Sequence, residues 1–527
     1  MATTGSERTR VAPSPAPAAS TAPAASAAPV ASTAPAAPAA STAAAASRAP
    51  APSTAPVASA APPVGLSARL RLGYASGSLV TGTFTTLPGL LLLPYLTDTL
   101  GVGAALAGAV VFVPKAWDAF LNPLVGRASD RTRTRWGARR PYVLAGGLVM
   151  ALAFALTFAG PAAGTAGAWF TAAGYLLTAT AFAFFLVPYV AMPAELTAVH
   201  RERMRLAGGR VAVIGVAALV TGAAGPALVD AGGGGLAGHR WVGVFGGAVI
   251  ALGTLCVFIG TSGTSGTRVA APEAPPAAVP AGVAEAGPAA GPAAGRDAAG
   301  SLRESEPGLR RRFAAARGNP AFTALLRCVV VQSVATGVLL AGAPYFAGHV
   351  LHDPTGVGAL VAAFVAPNLL TVPLWSRLRG RRGHALASAL FATGCLLFLA
   401  APALPEGAVL LTMALAGTGH AGQLLFLYAM LPDCIARDSE GPTSRQAGVL
   451  SGLFSTGEGL GVAVGPLLYG LVLQLSGYVS SGTGHAAPQS TTAELGMLAG
   501  FAVLPALATA LAVVLLRGYD CRSPRPY

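Results

Sequence analysis

Twelve long apolar runs limit what this sequence can fold into. A helix needs about 20 apolar residues to cross a hydrocarbon core of about 30 Å, and each run is near that length. The runs lie near 73–97, 102–126, 142–161, 166–192, 208–230, 241–261, 322–348, 356–376, 385–403, 407–431, 447–475 and 494–516. Charged residues make up 10% of the chain, whereas a soluble domain carries about a quarter. We therefore predict an all-α membrane protein with twelve transmembrane helices.

The arginines are concentrated in alternate connections between these runs. They are Arg127, Arg131, Arg133, Arg135, Arg139 and Arg140 after the second run, Arg201, Arg203 and Arg205 after the fourth, and Arg377, Arg379, Arg381 and Arg382 after the eighth. The positive-inside rule then places both termini, with Cys434 and Cys521, in the cytoplasm. The net charge of +14 therefore comes from arginines that orient the protein in the lipid bilayer of the cytoplasmic (inner) membrane. No nucleic-acid partner is expected, because no soluble segment has a basic stripe that is interleaved with aromatic residues.

The sequence lacks the usual patterns of enzymatic sites. The five cysteines stand singly and the seven histidines lie mostly in loops, so neither metal-ligand spacing nor a disulfide framework results. No acid pair, Ser-His-Asp arrangement or phosphate loop is present. We expect no metal, no cofactor and no enzymatic activity, and a membrane enzyme or a non-transporting receptor is the weaker alternative.

Segments rich in Ala and Pro divide the chain. Residues 1–65 cannot bury enough apolar area to offset the entropy of ordering, so we predict a disordered cytoplasmic tail. A second such stretch, with the basic run that follows it, makes 264–320 a cytoplasmic linker. The linker separates two six-helix halves, 66–263 and 321–517, and 518–527 form a second tail. Two such halves around a midplane site are the architecture of the major facilitator fold.

Several short motifs make the sequence more specific. The segment from Trp117 to Gly126 reads WDAFLNPLVG, and the segment from Ser129 to Tyr142 reads SDRTRTRWGARRPY. Further motifs are YLTD at 95–98, VPY at 187–189, ELT at 195–197 and LPD at 431–433. Together they resemble the glycoside-pentoside-hexuronide cation symporters of the major facilitator superfamily, whose best-known member is the melibiose carrier.

This resemblance implies a secondary active transporter that couples a cation to a sugar or glycoside by alternating access, and we expect a monomer. It assigns the coupling cation to Asp118, with Asn122 and Lys115 beside it. It places Arg210 close to the substrate, and it makes Tyr189, in the VPY motif, a further candidate substrate-binding residue. It also assigns Asp130, Arg131 and Arg139 to a cytoplasmic loop whose charge pairs can hold one conformation closed. The alternative for that loop is simple anchoring at the membrane surface.

The second apolar run contains charged and polar residues whose positions can be interpreted without the resemblance. If its helix extends from about Gly103 to Gly126, Asp118 lies about 12 Å above the cytoplasmic end. An acid at that depth costs a few kcal/mol unless it is paired or faces water. Lys115, the only lysine of the chain, and Asn122 lie on the same helical face. The alternatives are a structural Lys115–Asp118 ion pair and a cation site at Asp118.

Other candidate substrate residues also have structural alternatives. Arg210 can bind hydroxyls or a carboxylate, or it can anchor the fifth helix at the membrane surface. Glu458, isolated in an apolar run between glycines, is a functional candidate or a partner of Lys115 or another helix. Gln423, with His420 and Gln332, can line the cavity or bridge helices.

Two departures from the family pattern affect the substrate and the coupling ion. Residues 72–97 contain no acid and position 186 is leucine, so melibiose-like recognition is not expected, and export or exchange of another small organic solute is the alternative function. Asn122 stands where sodium-using members often carry a second aspartate. Because one carboxylate suffices for a proton while sodium requires several oxygen ligands, we predict proton coupling at Asp118, with Glu458 as a second carrier, over sodium coupling.

Overall fold

The computed structural model describes residues 66–132, 134–161, 163–197, 199–262, 318–378, 380–437, 443–482 and 487–519. The predicted tail at 1–65, nearly all of the predicted linker and residues 520–527 lie outside these ranges. Within them the secondary structure is helical, with no β-strand.

The described residues form twelve helices long and apolar enough to cross a membrane. In chain order they are α1 (Ala68–Thr99), α2 (Ala104–Arg131), α3 (Arg140–Thr157), α4 (Gly164–Ala191), α5 (His200–Ala231), α6 (Gly235–Gly260), α7 (Pro320–Val350), α8 (Pro354–Trp375), α9 (Gly380–Ala403), α10 (Glu406–Arg437), α11 (Thr443–Leu475) and α12 (Thr491–Gly518). Each of the twelve predicted runs corresponds to one of them.

Two of these helices extend further into the basic connections than the apolar runs indicate. Helix α2 continues to Arg131, so Asp118 lies about 20 Å from that end, and not about 12 Å. Helix α5 begins at His200, which places Arg210 about 15 Å inside it. Arginine is a good helix former, and its long side chain reaches the membrane surface from within a helix. The arginines therefore continue these helices beyond the apolar core.

The two groups of six helices pack by the same pattern. In the first half, α1 packs against α5 and α6, α2 against α4, and α3 against α4 and α6. In the second half, α7 packs against α11 and α12, α8 against α10, and α9 against α10 and α12. Between the halves, α2 packs against α11, α5 against α8, and α1 against α7. This repeat is the arrangement that the major facilitator fold requires.

The halves meet closely at one end of the bundle, which we call the closed face. There the Tyr478 hydroxyl donates a hydrogen bond to Oδ1 of Asp98, and the Ser481 hydroxyl donates to the Asp98 carbonyl oxygen at 2.7 Å. The hydroxyls of Thr97 and Tyr345 are also hydrogen-bonded, at 2.7 Å. Between described residues, the hydrogen bonds that join the halves lie at this end.

Small residues allow the same close approach along α2 and α11. A Cβ atom on Gly108 would lie 2.9 Å from the Pro466 carbonyl oxygen, and one on Gly470 would clash with the Ala104 carbonyl oxygen. Toward the opposite end, where α2 ends and α5 begins, no hydrogen bond between described residues joins the halves, and we call the region between the halves on this side the central cleft. We call that end the open face. The positive-inside rule predicts that it is cytoplasmic.

Candidate cation and substrate sites in the central cleft

Asp118 and Asn122 lie one turn apart on α2 and point acceptor atoms into the interior. Oδ1 of each residue is buried and has no hydrogen-bond partner among the described residues. A carboxylate oxygen and an amide oxygen only accept hydrogen bonds or bind cations. Because leaving such atoms buried and unsatisfied is unfavourable, this face of α2 is suited to a cation or a proton.

Lys115 does not form the structural ion pair considered from the sequence. Its ammonium interacts electrostatically with Asp118, but no described ion pair within 4.0 Å joins the two side chains. Nζ instead lies 3.7 Å from the centre of the Phe84 ring and 5.7 Å from that of Phe182. Cation–π attraction in such a desolvated place contributes about 2 kcal/mol. The rings therefore hold the lysine, and the Asp118 carboxylate retains a free oxygen.

Tyr175 on α4 joins this group and was not predicted. Its buried hydroxyl has no hydrogen-bond partner among the described residues, it interacts electrostatically with Asp118, and its ring centre lies 6.0 Å from that of Phe84. A tyrosine in an apolar run gives no signal by itself, because its position opposite α2 depends on how α2 and α4 pack.

Arg210 and Tyr189 are brought together on the side of α5 that faces α4. The guanidinium carbon lies 5.7 Å from the Tyr189 ring centre, and the buried Nε of Arg210 has no hydrogen-bond partner among the described residues. The Tyr189 hydroxyl is already used, since it donates to the Tyr74 carbonyl oxygen at 2.7 Å and contacts the Ser78 hydroxyl at 3.0 Å. Tyr189 thus offers a ring surface beneath the guanidinium.

Glu458 finds its partner on α10. The Tyr428 hydroxyl donates a hydrogen bond to Oε2 of Glu458 at 2.6 Å, and Tyr428 also interacts electrostatically with Arg210 of the other half. Tyr428 is nevertheless 48% exposed. Residues from both halves therefore face one another across the cleft, and Tyr428 is a second residue that the sequence did not identify.

Gln423 is not part of this group. It is fully buried, and its Nε2 donates to the Ser388 hydroxyl of α9 at 3.2 Å. The other two neutral candidates are placed similarly. Nδ1 of His420 lies 3.5 Å from the Thr336 hydroxyl, and Oε1 of Gln332 lies 2.8 Å from Nε2 of His384. All three bridge helices of the second half, which was the structural alternative for them.

The predicted gating residues form a network within the first half. Arg139 forms ion pairs with Asp130 at 3.5 Å and Glu195 at 3.2 Å, and it donates to the Ala191 carbonyl oxygen. Arg131 is exposed at the end of α2. The network ties the ends of α2, α3 and α4 together at the open face. Its gating role stays a prediction.

The described residues contain no cluster of three or more His, Cys, Asp or Glu side chains that could hold a metal ion. The charged groups of the cleft form two sets. One surrounds Asp118 in the first half, and the other consists of Arg210 in the first half and the Tyr428–Glu458 pair in the second.

Comparison with known proteins decides the family. The sequence profile of the family described as MFS/sugar transport protein matches residues 73–285 and 292–522. The chain belongs to this family. The matched ranges cover both halves of a major facilitator transporter, and the predicted relationship to the glycoside-pentoside-hexuronide symporters is confirmed.

Similar proteins support this family assignment. The chain is 25% identical over 475 residues to the glucuronide carrier protein homolog of Escherichia coli K12, covering 86% of this chain and 93% of that protein. It is 30% identical to the inner membrane symporter YicJ of the same organism, covering 28% of this chain and 32% of that one. The chain spans about a third of the length of several relatives that it matches at 32 to 35% identity.

Solved structures show the same fold. A bacterial homolog of the human lysosomal transporter Spinster matches with a TM-score of 0.59 at 16% identity, over 86% of this chain and 98% of that one. The D-xylose-proton symporter matches with a TM-score of 0.56 at 13% identity, over 85% and 96%. The predicted twelve-helix major facilitator fold is thereby confirmed.

Proposed function

We propose that this protein is a cation-coupled symporter that moves a sugar or glycoside across the cytoplasmic membrane by alternating access. One observation carries the proposal: Asp118, deep in α2, keeps a buried carboxylate oxygen without a hydrogen-bond partner while its neighbouring lysine rests on an aromatic ring. An acid placed so far inside a membrane helix is a functional residue by default. The names of the relatives, which include a symporter and a glucuronide carrier homolog, support the same function.

The geometry suggests how coupling works. A cation at Asp118 neutralises the carboxylate and satisfies its free oxygen, so loading this site favours reorientation of the half that contains it. The substrate lies between Arg210 of the first half and the Tyr428–Glu458 pair of the second. A ligand that bridges these groups draws the halves together at the open face, and the hydrogen bonds of the closed face must then break.

A proton is the coupling ion that fits this site better. Sodium requires several hard oxygen ligands, whereas the α2 site offers one carboxylate and one amide oxygen, beside the positive charge of Lys115. A proton requires one titratable carboxylate. Glu458 is the second candidate carrier, because its carboxylate lies in the same cleft and accepts a single hydrogen bond, from Tyr428, among the described residues.

The function is tested first by finding the substrate. Purified protein is screened by thermal shift against neutral sugars, glycosides, uronates and unrelated organic solutes, since a ligand that prefers the folded state raises the melting temperature. Solutes that stabilise the protein are then offered to proteoliposomes with and without an imposed cation gradient. We expect accumulation above equilibrium when the gradient is present. Equilibration alone under every gradient, for a solute that does bind, would contradict symport.

Direction is tested with the same solute. Uptake is compared in right-side-out vesicles under an inward proton gradient and in inside-out vesicles under an outward proton gradient. For an importer, we expect accumulation in the right-side-out vesicles only. Accumulation only in the inside-out vesicles, where solute enters in exchange for protons that leave, would instead show an exporter.

A further inference from the structure

A cavity with an apolar lining and three arginines at its rim lies outside the cleft, between the beginning of α9 and the end of α12 at the open face. Its volume is about 420 Å³. Its lining includes Arg381, Arg382 and Arg517, together with Val513, Leu516 and His384. The cleft residues named above are not among those that line it, so its role is separate from the transport site.

The three arginines lack a neutralising partner within the described part of the chain. All three are exposed, and none takes part in a described ion pair within 4.0 Å. Arg381 is held at the rim, since its Nη1 donates to the Tyr519 carbonyl oxygen at 3.2 Å. Arginine guanidinium groups bind phosphate through paired hydrogen bonds. Three exposed guanidinium groups at the rim of one cavity therefore favour a phosphate-bearing ligand.

The rest of the lining is apolar, and it belongs to a helix that crosses the membrane. Val513 and Leu516 lie on the last turns of α12, close to the end of this membrane-spanning helix. Basic cavities between helices on the cytoplasmic side are suited to anionic lipid headgroups. A ligand with a phosphate at the arginines and a hydrocarbon chain along α12 satisfies both parts of the cavity.

His384 adds a hydrogen-bond acceptor. It is fully buried, and its Nε2 lies 2.8 Å from Oε1 of Gln332, which assigns the ring proton to Nε2. Nδ1 then carries a lone pair, and it has no hydrogen-bond partner among the described residues. Because His384 is part of the lining, this buried and unsatisfied acceptor is available to a hydroxyl of a ligand that enters beyond the arginine rim. A headgroup with free hydroxyls beside its phosphate provides that donor.

We propose that this cavity binds one anionic phospholipid with a hydroxylated headgroup, of the phosphatidylglycerol type, from the leaflet at the open face. Arg382 and Arg517 hold the phosphate, a headgroup hydroxyl donates to His384, and an acyl chain packs along α12 at Val513. The lipid bridges α9 and α12, so its binding stabilises the second half. The lipid site is independent of the transported substrate and of the coupling ion.

The test uses purified full-length protein in a neutral detergent, titrated with phosphatidylglycerol, with phosphatidylcholine of the same acyl chains, and with soluble glycerol phosphate. Binding is followed by native mass spectrometry and melting temperature. We expect phosphatidylglycerol to bind and to raise the melting temperature, and the other two to do neither. The Arg382→Gln/Arg517→Gln variant should bind it at least about tenfold more weakly, because it loses two charged hydrogen-bond donors to the phosphate.

The matched control is Arg69→Gln/Arg377→Gln, which removes the same charge from exposed arginines outside the cavity. It should bind phosphatidylglycerol like the unmodified protein. Equal binding of phosphatidylcholine, or an equal loss in the control variant, would overturn the proposal. An equal shift with glycerol phosphate would overturn it too, since it would show an anion site without a lipid. If the double variant does not fold, Arg382→Gln alone is titrated, and unchanged binding by it counts against the site.

Discussion

The ammonium nitrogen of Lys115 lies 3.7 Å from the centre of the Phe84 ring, although Asp118 is only one helical turn away. A lysine that rests on an aromatic ring of α1 is stabilised without consuming the carboxylate beside it. Asp118 therefore keeps a free oxygen while its surroundings still contain a positive charge. This arrangement separates the structural role of the lysine from the binding role of the aspartate.

The first prediction concerns this contact. We expect Phe84→Leu and Lys115→Met each to lower stability, and the double variant to lose less than the sum of the two. The expected coupling is about 1–2 kcal/mol, the range of a desolvated cation–π contact. It is measured by comparing the unfolding of the two single variants, the double variant and the unmodified protein in detergent. Strictly additive losses would show that the ring does not hold the lysine.

The second prediction concerns the closed face. Burial and the neighbouring Asp98 carboxylate raise the pKa of the Tyr478 hydroxyl above its ordinary value, so the hydroxyl stays protonated and can donate to Asp98. Tyr478→Phe removes this hydrogen bond and leaves the volume of the side chain almost unchanged. A hydrogen bond to a charged group contributes about 1.5–3 kcal/mol, so the population that is open at this face should rise about tenfold or more.

Spin labels measure that population. Thr165 and Thr492 are exposed at the closed-face ends of α4 and α12, and labels there report the distance between the halves. The control is Tyr469→Phe, whose hydroxyl donates to the Met497 carbonyl oxygen within one half. Longer distances in Tyr478→Phe but not in the control are expected. An unchanged distribution in Tyr478→Phe would rule out this hydrogen bond as a determinant of the closed state.

The sequence predicts the fold far better than the site, and particular residues show why. Long apolar runs and alternating arginines depend on the bilayer alone, so the twelve helices could be predicted. Spacing along one helix likewise places Lys115, Asp118 and Asn122 on one face. By contrast, Tyr175 and Tyr428 approach Asp118 and Glu458 only through packing between helices, which no local pattern encodes. The position of Gln423 against Ser388 could not be distinguished from a cleft position for the same reason.

The third prediction tests the substrate side of the cleft. Arg210→Lys keeps the charge but loses the planar group that lies over Tyr189 and its several donors. We expect the KM for transport to rise about tenfold, or about 1.4 kcal/mol, with a smaller change in maximal rate. Uptake kinetics in proteoliposomes measure both. Arg203→Lys, at an exposed position near the start of the same helix, is the control. A KM unchanged by Arg210→Lys would place the substrate elsewhere.

The fourth prediction concerns orientation. The sequence places Cys434 in the cytoplasm, so labelling its thiol would be the obvious test of orientation. Cys434 is fully buried, however, and a reagent cannot reach it from either side of the membrane. Exposed positions serve instead: Ser376→Cys at the open face and Val479→Cys, with 53% exposure, at the closed face. In a Cys521→Ser background, an impermeant maleimide should label Val479→Cys in intact cells and Ser376→Cys only after permeabilisation. The reverse pattern would invert the proposed topology.

The central claim is that Asp118 couples cation and substrate movement, and one measurement tests it most directly. Substrate accumulation is recorded in proteoliposomes at fixed membrane potential under an imposed pH gradient or an imposed sodium gradient, for the unmodified protein, Asp118→Asn and the control Asp230→Asn, an exposed aspartate of α5. We predict that the pH gradient drives accumulation by the unmodified protein and the control, and that Asp118→Asn only equilibrates the substrate. Full accumulation by Asp118→Asn would contradict the account, and accumulation driven by sodium alone would contradict proton coupling.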